Sequence, residues 1–97
     1  MDIGELIERI KPFQPKKIIL FGSRAYGTAG MESDFDIAII KNTSQLFHDR
    51  LIDVRRLVRT TTPIDFFVFT EQEIESKRQH NPFIAEIVSR GKVVYEQ

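Results

Sequence analysis

Three aspartates and a glycine–serine pair carry the chemical interest of this 97-residue sequence. Gly22-Ser23 closes one apolar run, and ten residues later Asp34-Phe35-Asp36 leads into another. Side chains alternate between the faces of a strand, so Asp34 and Asp36 point the same way, their backbones about 7 Å apart at ~3.4 Å per residue. Two carboxylates at that spacing can converge on one magnesium ion, which takes oxygen ligands at about 2.0–2.1 Å. Asp65 opens a later apolar run, PIDFFVF. If its strand neighbours the first pair, three carboxylates meet at one sheet edge. That is the usual protein share of a two-metal site, with ions ~3.5–4 Å apart, one activating the attacking oxygen and one steadying the leaving phosphate. Gly22 permits a positive φ and a close backbone approach. The Ser23 hydroxyl and the amides around it suit phosphate oxygens, and Arg24 adds a charged donor toward a triphosphate. The chemistry that fits is phosphoryl or nucleotidyl transfer with magnesium.

Each residue also has a plainer reading. Aspartates at strand starts form turns or solvated edges, and Gly-Ser is a common strand-to-loop pair. The set says more than its members. Asp is disfavoured in apolar strands, and three such departures aimed at one place indicate function. His48 and His80 have no second ligand at ligand spacing and read as surface or capping residues. Phe66, Phe67 and Phe69 read as core packing. Tyr26 is a lid residue or a packing residue. Arg50, Arg55, Arg56 and Arg59 read as a solvated helix face, with docking of an acidic partner as the alternative.

The elements that position these residues are legible. Asp2 and Glu5 have capping-box spacing ahead of Ile3, Leu6, Ile7 and Ile10, an amphipathic helix that Pro12 and Pro15 end. Lys17 to Phe21 reads as a strand covered on both faces. Gly22 to Ser33 is a loop with one helical turn near Arg24 to Tyr26, and Asp34 to Lys41 is the second strand. In it Asp34, Asp36 and Ala38 share a face, opposite Phe35, Ile37 and Ile39. Ser44 is expected to cap a helix whose stripe is Phe47, Leu51, Val54 and Val58. Pro63 opens a third strand, with Asp65, Phe67 and Phe69 on one face. Thr70 and Glu73 form a capping box for a short helix. Asn81 and Pro82 start another, which Gly91 stops, and Lys92 to Tyr95 is a last strand. The order α-β-loop-β-α-β-α-α-β predicts an α+β fold, a small mixed β-sheet with helices packed mainly on one face.

Composition narrows the function. Residues 1–97 are expected to form a single domain with one modest core. Lys plus Arg and Asp plus Glu number 14 each, giving a formal net charge of zero. That balance gives no support for direct nucleic-acid binding and is compatible with life bound to a partner. There are no cysteines, which excludes disulfides and thiolate-ligated zinc. The acidic N-terminus does not read as a signal peptide, no apolar run approaches membrane-spanning length, and a cytoplasmic location is expected.

Gly22-Ser23, ten residues, then Asp34-Phe35-Asp36 has the form GSX10DXD. The stretch FGSRAYGTAGMESDFDIAII resembles the signature of the minimal nucleotidyltransferases of the DNA polymerase beta superfamily. NPFIAEIVSRGKVVYE is similar to that family's closing helix and strand. The resemblance covers essentially the whole chain and implies specific roles. Gly22 and Ser23 would hold the β- and γ-phosphates of ATP, and Asp34 and Asp36 would bind two magnesium ions. Asp65 would complete the metal site and help deprotonate the acceptor hydroxyl. Many members pair with a HEPN-domain toxin, acting as the antitoxin that adenylylates a tyrosine of that ribonuclease. A hetero-oligomer is therefore expected. Two other functions stay open. One is a non-catalytic module that neutralises the toxin by occlusion. The other is an adenylyltransferase for a small alcohol such as an aminoglycoside, against which the short chain argues.

Overall fold

The computed structural model describes residues 1–26 and 35–97, with Tyr26 described by its backbone alone. Helix α1 (Ile3–Ile10) starts where expected: the Asp2 carboxylate accepts the Glu5 backbone N–H at 2.8 Å. A short 3-10 turn, Lys11–Phe13, holds Pro12 and leads to strand β1 (Lys17–Phe21). Then come α2 (Ser23–Tyr26), β2 (Phe35–Ile40), α3 (Phe47–Leu57) and β3 (Ile64–Phe69). The chain continues through α4 (Glu71–Lys77), α5 (Pro82–Arg90) and β4 (Lys92–Glu96). Both halves of the Thr70–Glu73 capping box form at the start of α4. At α5 the Asn81 side chain accepts the N–H groups of Phe83 and Ile84, with Pro82 in the first turn.

The four strands make one mixed sheet in the order β3-β2-β1-β4. Strand β1 runs antiparallel to both of its neighbours, whereas β2 and β3 are parallel. A parallel pair needs a crossover connection, and α3 supplies it. The β2 backbone therefore lies between β1, which delivers Gly22, and β3, which delivers Asp65.

Alternation along the strands sorts the apolar residues into two cores. The larger joins Leu6 and Ile10 of α1 and Val54 and Val58 of the α3 region to Ile18, Leu20, Phe35, Ile37, Ile39, Phe66 and Val68. Helices α1 and α3 cover this face. The other face carries a smaller core, in which Ile84 and Ile87 of α5 pack on Ile19, Phe21, Ala38, Ile40 and Phe69. Burial of each large apolar side chain on either face contributes roughly 1.5–3 kcal/mol. Edge position explains why β4 is thinner: it pairs on one side only, and Val93 remains half exposed.

Two expectations need correction. Ser44 does not cap α3. The helix begins at Phe47 after Leu46, with no side-chain cap, because a turn intervenes in which Gln45 N–H donates to Thr43 Oγ1 at 3.1 Å. Nor does Arg50 belong to a solvated face. It is buried and donates through Nε to the Gln45 carbonyl, and through its terminal nitrogens to the Val68 carbonyl and the Glu73 carboxylate. Its spacing to Val54 and Val58, four and eight residues on, puts it on the buried side of the helix. A charge so placed must be paired, and Glu73 pairs it at 2.7 Å.

Candidate active site

Strand register assembles the site. Phe21 of β1 pairs with Asp36 of β2, and Asp36 pairs in turn with Asp65 of β3. Asp36 shares its face with Ala38 and Ile40, and Asp65 shares its face with Phe67 and Phe69. All four of those residues pack on the α5 side of the sheet. The two carboxylates thus rise from the same face on adjacent strands, whose backbones are about 4.8 Å apart. Asp36 is half-buried and Asp65 is exposed. Both stand at the end of the parallel pair where β2 and β3 begin.

Gly22 closes the third side. Its φ is +76°, the left-handed region that side chains rarely adopt. A Cβ placed there would lie 2.2 Å from Asp36 Oδ2 and 3.0 Å from its Cγ. The bare backbone of Gly22 is what leaves room for that carboxylate. Ser23 follows as the first residue of α2, and Ala25 N–H donates to the Gly22 carbonyl at 3.0 Å. The Ala25 side chain is buried in the larger core, which anchors α2 against the sheet.

Gly22, Ser23, Asp36 and Asp65 are therefore brought to one end of the sheet. Asp34, the first member of the predicted carboxylate pair, lies outside the described residues. Among the described residues no group of three or more acidic, histidine or cysteine side chains gathers as a metal site. The pair that is described, Asp36 beside Asp65, offers hard oxygen donors of the kind magnesium takes. Arg24 is placed differently from a simple triphosphate donor. Its guanidinium carbon lies 4.0 Å from the centroid of the Phe35 ring, and Phe35 is buried in the larger core, on the face opposite Asp36.

An aromatic cluster adjoins the carboxylates, and sequence reasoning did not assemble it. The Phe21 ring lies 5.8 Å from Phe67 and 5.5 Å from Phe83, and Phe67 lies 5.0 Å from Phe83. The aromatic run of β3 divides between the two cores, Phe66 inward under α1 and α3, Phe67 and Phe69 under α5. Beside the cluster runs a groove of ≈ 360 Å³ lined by Phe47, Phe67, Phe69 and Phe83, with Lys77 at its rim. The available signal was the alternation of Asp65, Phe67 and Phe69; the contribution of Phe83 required the fold.

Comparison with known proteins bears on the family and the fold. The family model for the polymerase beta nucleotidyltransferase domain matches residues 4–97. The chain belongs to that family. Its fold is shared by a candidate nucleotidyltransferase from Sulfolobus solfataricus, at 23% identity and a TM-score of 0.65, covering 95% of this chain and 74% of that one. It is shared also by a chain of a toxin–antitoxin structure crystallised with AMP-PNP, at 19% identity and a TM-score of 0.64, covering 100% of this chain and 75% of that one. No curated protein matches the sequence. Among the described residues, no helix is long and apolar enough to cross a membrane.

Proposed function

We propose that residues 1–97 form one magnesium-dependent nucleotidyltransferase domain that moves AMP from ATP to a hydroxyl of a partner protein. The acceptor in this reading is a tyrosine of a HEPN-domain toxin, and the modification neutralises the toxin in the cytoplasm. The observation that carries it is the register that sets Asp36 opposite Asp65, with the Gly22 backbone against the Asp36 carboxylate. The solved neighbour crystallised as a toxin–antitoxin with AMP-PNP supports both the nucleotide and the kind of partner.

The residue roles follow from chemistry. Gly22 and Ser23 receive the β- and γ-phosphates through backbone and hydroxyl donors. Asp34, Asp36 and Asp65 hold two magnesium ions, which when bound supply charge neutralisation for the triphosphate and the attacking oxygen. Asp65, the exposed carboxylate of the pair, faces the acceptor and helps take its proton. The acceptor oxygen forms a bond to the α-phosphorus, the bond from that phosphorus to the bridging oxygen breaks, and pyrophosphate leaves.

The test is to mix the purified protein with labelled ATP, magnesium and the product of the neighbouring gene. Label should appear on the partner. An unlabelled partner, with nucleotide binding intact, overturns the transfer reading. Occlusion is separated by the double variant Asp34→Ala plus Asp36→Ala: if it stays folded and protects cells as well as the parent, binding alone neutralises the toxin. Antibiotic resistance conferred by this protein without a partner would instead favour a small-alcohol acceptor.

A further inference from the structure

Arg24 reaches Phe35, a residue of the larger core on the face opposite Asp36. It is the second residue of α2, directly after Ser23, and its guanidinium sits over the Phe35 ring at 4.0 Å. Phe35 is only 3% exposed and directly precedes Asp36. Its backbone N–H donates to the Pro63 carbonyl at 3.2 Å, so the residue also marks where β2 begins to pair with β3. Arg24 and Phe35 flank the two ends of the segment that separates Gly22-Ser23 from Asp36, the segment that includes Asp34. A cation held over a ring face is attracted by the ring quadrupole, and Arg adds planar stacking that Lys lacks.

We infer that Arg24 is a positioning residue: by clasping the Phe35 ring, it holds the start of β2, and with it the Asp36 carboxylate, against Gly22-Ser23. This rests on the nucleotidyltransferase reading above and assigns Arg24 a task other than touching the triphosphate. The planar ring is buried on one face while Asp36 projects from the other, so a force on Phe35 is transmitted through one peptide unit to the carboxylate. A triphosphate contact would instead need the guanidinium on the face of Asp36.

The test measures binding rather than turnover. Mn2+ affinity in the presence of AMP-PNP is followed by electron paramagnetic resonance, and metal-free AMP-PNP affinity by calorimetry, for the full chain and for Arg24→Ala, Arg24→Lys and Phe35→Leu. Arg24→Ala should weaken Mn2+ on the order of tenfold, the scale of one partly desolvated cation–π contact. Its metal-free AMP-PNP affinity should stay within twofold, and Arg24→Lys should fall between Arg24→Ala and the parent. Arg24→Ala plus Phe35→Leu should be no worse than the poorer single variant. A fall in metal-free AMP-PNP affinity on Arg24→Ala, or effects that multiply in the double variant, overturns the clasp. If Phe35→Leu fails to fold, the two Arg24 variants decide alone through the split between metal and nucleotide affinities. If the parent binds neither Mn2+ nor nucleotide, the nucleotidyltransferase reading fails. The contact itself is then judged by melting: destabilisation by Arg24→Ala that disappears in the Phe35→Leu background keeps it, and an equal loss in both backgrounds removes it.

Discussion

Asp36 and Asp65 carry the proposed chemistry, which makes them the sharpest residues to test. In the proposed site, Asp36→Asn keeps the shape of the side chain but removes half the charge of the described acidic pair. Nucleotide transfer should fall to background. The melting temperature should hold or rise, because like charges on adjacent strands repel when no metal is bound. Labelled-nucleotide transfer and a thermal melt on the same sample check both halves. Gly22→Ala makes a different prediction. The left-handed φ of +76° costs an alanine about 1 kcal/mol, while the clash at 2.2 Å is relieved by swinging the end of the Asp36 side chain aside. Stability should drop modestly and nucleotide transfer severely, read by the same two assays.

At the scale of elements, the ion pair of Arg50 and Glu73 fastens α3, the end of β3 and the start of α4 together. Glu73 Oε1 also accepts the Thr70 backbone N–H at 2.8 Å. The Arg50 hydrogen bonds hold the Glu73 carboxyl below the usual carboxylate range, outweighing the opposing effect of burial. The sign for stability follows directly. An unfolded Glu titrates near pH ~4.3, so above that pH the contribution of Glu73 is fully present. It is lost as the pH falls through the lower value of the folded state, where the unfolded chain binds the extra proton. Urea unfolding at neutral pH and near pH 4 should show an acid loss that Glu73→Gln flattens. Glu73→Ala should cost about 3 kcal/mol at neutral pH, since it strands a buried guanidinium. The junction of α5 and β4 offers a packing test beside β1, where Lys92 pairs with Leu20. Gly91 has an ordinary φ of −67°, yet a Cβ there would meet the Ile87 carbonyl at 2.4 Å and Ile19 Cγ2 at 2.5 Å. Gly91→Ala should destabilise by roughly 1–3 kcal/mol through overpacking against β1 and the end of α5, as a thermal melt would show.

For the whole molecule, ligand linkage ties the proposed site to global stability. A nucleotide that binds only the folded chain stabilises it by RT ln(1 + [L]/Kd), about 2.7 kcal/mol at a hundredfold excess over Kd. AMP-PNP with magnesium should therefore raise the melting temperature by several degrees. EDTA should remove most of that gain, and Asp36→Asn should abolish the metal-dependent part. The zero formal net charge means that no general field draws anionic ligands to the surface. In this reading the local donors of the Gly22-Ser23 turn and the divalent cations must supply the attraction, so the shift should depend steeply on magnesium.

Much of the protein is written in local sequence. The Asp2 cap, the Thr70 capping box, the Asn81-Pro82 start and the alternation along β2 and β3 fixed helix ends and strand faces, because each depends on neighbours within a few residues. The same alternation put Asp36 and Asp65 on definable faces. Their meeting was decided only by the parallel pairing of β2 with β3, a contact between residues 29 apart that no local pattern specifies. Tertiary structure likewise turned Arg50 from a surface charge into a buried clasp: its partner Glu73 lies on another helix, and only packing brings a guanidinium and a carboxylate together out of water.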